Sequence, residues 1–211
     1  AALIGAACVL FLMSTRNAGR AAAGALALVG LGFAWYIWDL IKPPAGLIDT
    51  VAPVCYDGLG EFARVIALCT GVLLVFQTWN EPEDRRACDY QACLLCVIAG
   101  LSLACAANDL IFLFLAFELI SIPTYVMLYL GRGSDRSGQE AVLKYFFLSI
   151  LSSAMLLFGF SYLYGVTGTT NIAAIRGILP VAAAGDSAHL ALVAIVMIVA
   201  GIGFRITAFP F

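Results

Sequence analysis

The stretch Asn108-Asp-Leu-Ile-Phe-Leu-Phe-Leu-Ala-Phe-Glu-Leu-Ile-Ser-Ile-Pro-Thr-Tyr-Val126 decides the fold class. From Leu110 to Glu118 eight residues are apolar and the ninth is a carboxylate. The apolar residues follow one another without the alternation of a barrel strand, so the segment reads as a helix in an apolar medium. In lipid only helices and closed barrels satisfy their own backbone groups. Glu118 lies ten residues past Asn108, about 15 Å along a helix rising ~1.5 Å per residue. That is near the midplane of a hydrocarbon core ~30 Å thick. Mild insertion scales charge an acid ~2.5–3.5 kcal/mol there, and such acids face a protein interior and default to function. A structural buried ion pair is the alternative. Ser121 and Tyr125 fall on the same helical stripe as Glu118. Pro123 has no N–H, so the carbonyl of Leu119 loses its helical donor beside the carboxylate. A carbonyl freed in this way could hold water or a cation; an ordinary proline kink is the other reading.

Composition agrees with a lipid environment. The chain of 211 residues is 63% hydrophobic and 11% charged, with a mean hydropathy of +1.02. Soluble domains are about 45–50% apolar and roughly 25% charged. A net charge of −2, with no basic patch, speaks against a nucleic-acid partner.

Apolar runs occupy Ala1–Met13, Ala21–Trp38, Glu61–Trp79, Tyr90–Ala106, Leu110–Leu130, Ala141–Gly165 and Ser187–Phe209. Most approach the ~20 residues that cross a bilayer. The first is short, reads as the remainder of a longer helix, and lacks the cationic lead of a signal peptide. The expectation is an all-α, polytopic membrane protein of about seven transmembrane helices, one transmembrane domain over residues 1–211. Connectors after the first, third and fifth runs carry Arg16, Arg20, Arg85, Arg86, Arg132 and Arg136. The others carry only Lys42 and Arg176. The positive-inside rule then places the first set on the matrix or cytoplasmic side and the second outside.

Two more charges enter apolar runs. Lys144 lies about a turn past the arginine-rich connector, in Gln139-Glu-Ala-Val-Leu-Lys-Tyr-Phe-Phe-Leu-Ser-Ile-Leu-Ser-Ser153. It either snorkels to the interface or sits inside the bundle as a proton-carrying lysine of lowered pKa. Tyr145, Ser149, Ser152 and Ser153 make a small, polar side that permits close helix approach. Arg205 stands in Gly201-Ile-Gly-Phe-Arg-Ile-Thr-Ala-Phe-Pro-Phe211, and the flanking glycines with Pro210 suggest a helix interrupted at the charge.

Three ordered blocks carry a resemblance: Asn108-Asp-Leu with Glu118-Leu-Ile-Ser-Ile-Pro123, Glu140-Ala-Val-Leu-Lys144-Tyr-Phe, and Ser152-Ser with Leu163-Tyr-Gly-Val-Thr-Gly-Thr-Thr170. From about Tyr90 onward the chain resembles the antiporter-like membrane subunits of proton-pumping NADH:quinone oxidoreductase, respiratory complex I. The nearest branch is subunit 2, or N in bacterial enzymes. The resemblance implies proton movement through buried charges and water, driven by redox chemistry in other subunits. It implies Glu118 as the fifth-helix glutamate, Lys144 as the sixth-helix lysine, and Arg205 at the place of a seventh-helix lysine. The family pattern there is Gly-x-Gly-Phe-Lys; here it is Gly201-Ile-Gly-Phe-Arg205. Arginine pairs with a carboxylate but cannot release its proton, so a non-pumping scaffold is the alternative, with a stand-alone cation/proton antiporter a third.

The family fold implies about fourteen helices in two inverted five-helix repeats, the first starting at the fourth helix. This chain enters that repeat near residue 90 and leaves it incomplete. The remaining helices are expected from a second polypeptide, the alternative being that the sequence is an incomplete piece of one longer chain; other complex I membrane subunits and the lipid bilayer are further partners. The implied place is the mitochondrial inner membrane, or alternatively the bacterial inner membrane or another energy-transducing membrane.

Other motifs add little. Cys88, Cys93, Cys96 and Cys105 follow a ferredoxin-like spacing. They lie in an apolar helix that lacks a cluster-wrapping loop, where cysteine acts as a small hydrophobe. An odd total of seven gives no disulfide framework. His189, the one histidine, reads as interfacial packing or a proton entry or exit point. The mixed-charge loop Glu81–Arg86 suits docking to a neighbouring subunit. No nucleotide-binding glycine motif or Ser/His/Asp arrangement is present, so no cofactor and no redox site is expected in this chain.

Overall fold

The computed structural model describes residues 2–15, 19–41, 53–55, 57–79, 86–132, 136–182 and 187–206. Among them the chain forms eight α-helices: α1 Ala2–Ser14, α2 Arg20–Ile41, α3 Gly58–Gln77, α4 Ala87–Ala104, α5 Leu110–Arg132, α6 Arg136–Thr167, α7 Ile172–Ala182 and α8 Ala188–Arg205. Six of them, α2 to α6 and α8, are long and apolar enough to cross a membrane. The protein is an all-α, multi-pass membrane protein. Each apolar run of the sequence becomes one helix, and α1 is indeed short. The eighth helix, α7, was not expected, because Arg176, Gly177 and Pro180 interrupt its apolar pattern. The break expected at Pro210 lies outside the described residues, as does the loop of residues 80–85.

The chain divides into two compact units, one of residues 1–48, 56–106 and 116–142 and one of residues 49–55, 107–115 and 143–211. In the first, α4 packs against α1, α2 and α3, and it is the most enclosed of the membrane-length helices. Leu10, Leu31, Val75, Leu95 and Ile98 interlock there, fully buried. Lipid tails are as apolar as leucine, so close packing rather than water exclusion holds such helices together. Arg64 avoids a bare charge in this setting by laying its guanidinium 4.0 Å from the centre of the Trp38 ring.

In the second unit α6 and α8 run antiparallel, with Gly159 set against Ala194 and Ile198 and Gly201 against Ser152 and Leu156. The Ser152 hydroxyl donates to the Gly201 carbonyl at 2.8 Å, and α7 packs on α8. Three connectors are stitched by backbone bonds. Asn108 N–H donates to the Pro53 carbonyl, Leu110 N–H to that of Thr170, and Ile172 N–H to that of Asn108, each at 2.9 Å. Asp109 closes the junction: its Oδ1 accepts from the N–H of Ile111 (2.9 Å) and Phe112 (3.3 Å). Its Oδ2 accepts from the Thr170 hydroxyl. A carboxylate at a helix start satisfies orphan N–H groups and opposes the positive end of the helix dipole. Asp109→Ala is expected to lower stability by about 1–2 kcal/mol, read as a lower thermal midpoint of the detergent-solubilised protein.

Candidate functional site

Glu118 is placed by the packing of α5. A Cβ at Gly100 of α4 would meet Ile120 Cγ1 at 2.8 Å and the Ala116 carbonyl oxygen at 3.0 Å. Residues 116 and 120 therefore press α5 onto α4, backbone against backbone. Glu118 is two residues from each, roughly 200° around a helix that turns ~100° per residue. It lies on the side of α5 turned away from Gly100, half-buried. Ser121 is buried and donates to the Phe117 carbonyl at 2.9 Å; Thr124 donates to that of Ile120 at 2.7 Å. These back-bonds spend the hydroxyl protons on the helix itself. Pro123 is buried inside α5, and the helix continues through it to Arg132. The polar stripe of Glu118, Ser121 and Tyr125 is thus partly or wholly withdrawn from the surface.

Arg205, in the last turn of α8, donates from Nη2 to the Ser153 hydroxyl at 2.7 Å. Next to it Ser152 holds the Gly201 carbonyl. The consecutive serines therefore clamp the carboxyl end of α8, where a cation also complements the negative end of the helix dipole. Removing the acceptor in Ser153→Ala is expected to cost about 1.5–3 kcal/mol, the range for a hydrogen bond to a charged group, visible in the unfolding midpoint. Lys144 is exposed on α6, beside the exposed Leu143, Phe147 and Leu148. Its nine-residue separation from Ser153 is ~13 Å along the axis, so Lys144 is not part of the Arg205 clamp. Glu118 belongs to the first unit, Lys144 and Arg205 to the second.

His189 is exposed in the first turn of α8. The seven cysteines are free thiols; Cys88 and Cys93 are buried along α4. Among the described residues no group of three or more His, Cys, Asp or Glu side chains could hold a metal. Sequence reasoning missed the Asp109–Thr170 junction. The local signal was an Asn-Asp pair directly before an apolar run, a helix-start signature.

Residues 107–211 match the family described as NADH:quinone oxidoreductase/Mrp antiporter, TM. The NADH-quinone oxidoreductase subunit N 1 of Solibacter usitatus is 33% identical over 189 residues, covering 87% of this chain and 37% of that protein. Subunit N of an Anaeromyxobacter strain is 32% identical over 214 residues, covering 96% and 40%. Among solved structures, a chain of respiratory complex I from Thermus thermophilus superposes with a TM-score of 0.76 and 25% identity. That superposition covers 100% of this chain and 44% of the other. The chain therefore spans about two-fifths of the length of these relatives.

Proposed function

We propose that this chain, whose residues 107–211 match the NADH:quinone oxidoreductase/Mrp antiporter transmembrane family, forms part of a proton-translocating membrane-arm subunit of an NADH:quinone oxidoreductase. The observation that carries this reading is Glu118, a half-buried carboxylate in the middle of a membrane-length helix. Its neutral form tolerates a dry surround, and its ionised form needs a nearby cation or water. A group of that kind alternates between the two as protons pass. Lys144, at the place of the family's sixth-helix lysine, is the second group proposed to carry protons. Arg205 stays charged and cannot hand on its proton, so its part is charge pairing rather than transfer. Redox chemistry, NADH and quinone belong to other subunits.

The partners in this proposal are other membrane subunits of the oxidoreductase and the lipid bilayer. The relatives named above are bacterial, which favours a bacterial inner membrane over its mitochondrial counterpart. The test is mass spectrometry of the native assembly isolated through this chain in mild detergent. The expected result is a set of oxidoreductase membrane subunits. Isolation without any oxidoreductase subunit would sink the assignment and point to a stand-alone transporter.

A scaffold role is the second reading. It is favoured by the Arg205–Ser153 bond, which fixes a permanent charge where the family pattern has a lysine. The two readings part on whether Glu118 affects the proton yield.

A further inference from the structure

Helix α5 gathers its polar side chains on one arc. At ~100° per residue, Glu118, Ser121, Tyr125, Tyr129 and Arg132 fall within about 80° of one another, and no apolar residue from 118 to 132 shares that arc. The contact with α4 lies on the opposite side, where Ala116 and Ile120 meet Gly100. Four and seven residues before Glu118 the same arc holds Phe114 and Ile111, both apolar. Polar groups therefore run from Glu118 toward one end of the helix only, the end at Arg132. The positive-inside rule makes that end the inner one.

The spacing along the stripe is regular. Steps of three or four residues rise ~4.5–6 Å, a gap that one water spans with two hydrogen bonds of about 2.8 Å. Ser121 gives its proton to the Phe117 carbonyl at 2.9 Å, so toward any further donor it acts as an acceptor. Long side chains on helices lean toward the amino end, which turns the phenols of Tyr125 and Tyr129 toward Glu118. The Glu118 carboxylate acts on the Tyr125 phenol through space. Tyr129 is exposed three residues before Arg132, where a tyrosine is an ordinary interfacial anchor. Tyr125 is half-buried one turn deeper, below that belt, where a hydroxyl needs a reason.

We infer that Ser121, Tyr125 and Tyr129 form the inner access route by which protons reach Glu118, with Tyr129 at the mouth and Tyr125 the deeper phenol. The route rests on the proton reading of Glu118. A phenol relays by exchange: its oxygen takes a proton from water on the inner side as its own hydrogen passes to water on the Glu118 side. No phenolate forms, and the phenol is restored. Further helices laid over this face would enclose the stripe and leave it in place, because α5 itself carries every group of it.

The test uses the assembled oxidoreductase in proteoliposomes. Tyr125→Phe removes one oxygen and keeps the ring. It is expected to lower the proton yield per NADH to the level of Glu118→Gln, with the unfolding midpoint unchanged. The double variant is expected to fall no lower than Glu118→Gln alone, because both changes interrupt one route. A second measurement does not depend on pumping. A charged, membrane-impermeant methanethiosulfonate is added to one side or the other, and adducts are located by peptide mass spectrometry. Tyr125→Cys and Tyr129→Cys are expected to be modified at those positions from the inner side alone, and Phe114→Cys from neither side. A normal yield in Tyr125→Phe beside a lowered yield in Glu118→Gln would overturn the route and leave the role of Glu118 standing. A normal yield in both would overturn the proton reading and the route with it. Modification of Phe114→Cys, or none of Tyr125→Cys from the inner side, would also overturn the route.

Discussion

Glu118→Gln is expected to leave the assembly intact and NADH oxidation running while fewer protons cross the membrane per NADH. Glutamine has nearly the same shape and removes only the titration, so the contact of α5 with Gly100, made by Ala116 and Ile120, is untouched. An uncharged amide also costs less than a carboxylate at that depth. On the proposed reading, what is lost is a positioned proton donor and acceptor. Removing such a group slows the transfer step by about 10²–10⁴-fold. The measurement is proton uptake by proteoliposomes, followed with a pH-sensitive dye against NADH consumed. An unchanged yield from an assembled variant would reject the pumping role of Glu118 and favour the scaffold. A variant that fails to assemble is identified beforehand by the composition of the isolated complex.

Gly201→Val should have the largest effect on stability. A Cβ at this position would lie 2.6 Å from Leu156 Cγ and 3.0 Å from the Ser152 carbonyl oxygen. The leucine tip can move, but the backbone of α6 cannot move without dragging the helix. Overpacking of this kind costs about 1–3 kcal/mol. Separation of the helices would also break the bond from Ser152 to the Gly201 carbonyl, whose kind averages ~0.6 kcal/mol in membranes. The clamp between Ser153 and Arg205 lies one helical turn further along α8 and should loosen with it. Thermal unfolding in detergent should therefore begin well below the parent protein. An unshifted midpoint would mean that α6 and α8 do not rely on this close approach.

The helices that cross the membrane were legible in the sequence because each is one long, largely apolar run, as Leu110–Arg132 shows despite Glu118. Helix α7 was not, since Arg176 and Pro180 split a segment that buries only part of one face. The serines of α6 announced a close helix approach, because small polar residues at helical spacing have few other uses in lipid. Their partners did not follow from the pattern: that Ser152 meets Gly201 and Ser153 meets Arg205 depends on the register of two helices about 50 residues apart. Lys144 was a balanced choice between surface and interior, and its side chain is exposed on α6. The depth of Glu118 could be counted from Asn108, but the face it occupies is set by Gly100 on another helix.

The junction at Asp109 carries a consequence for biosynthesis. Its carboxylate is made early, yet the Thr170 hydroxyl that completes it emerges 61 residues later. At ~5–20 residues per second, ribosomes need about 3–12 s to cover that distance. Throughout this interval α5 can enter the bilayer with its own N–H groups capped by Asp109, but the link to Pro53 and Thr170 cannot all be in place. The seam between the three connectors is thus a late event of insertion, and a chain stalled before residue 170 would expose an unsealed edge to quality-control proteases.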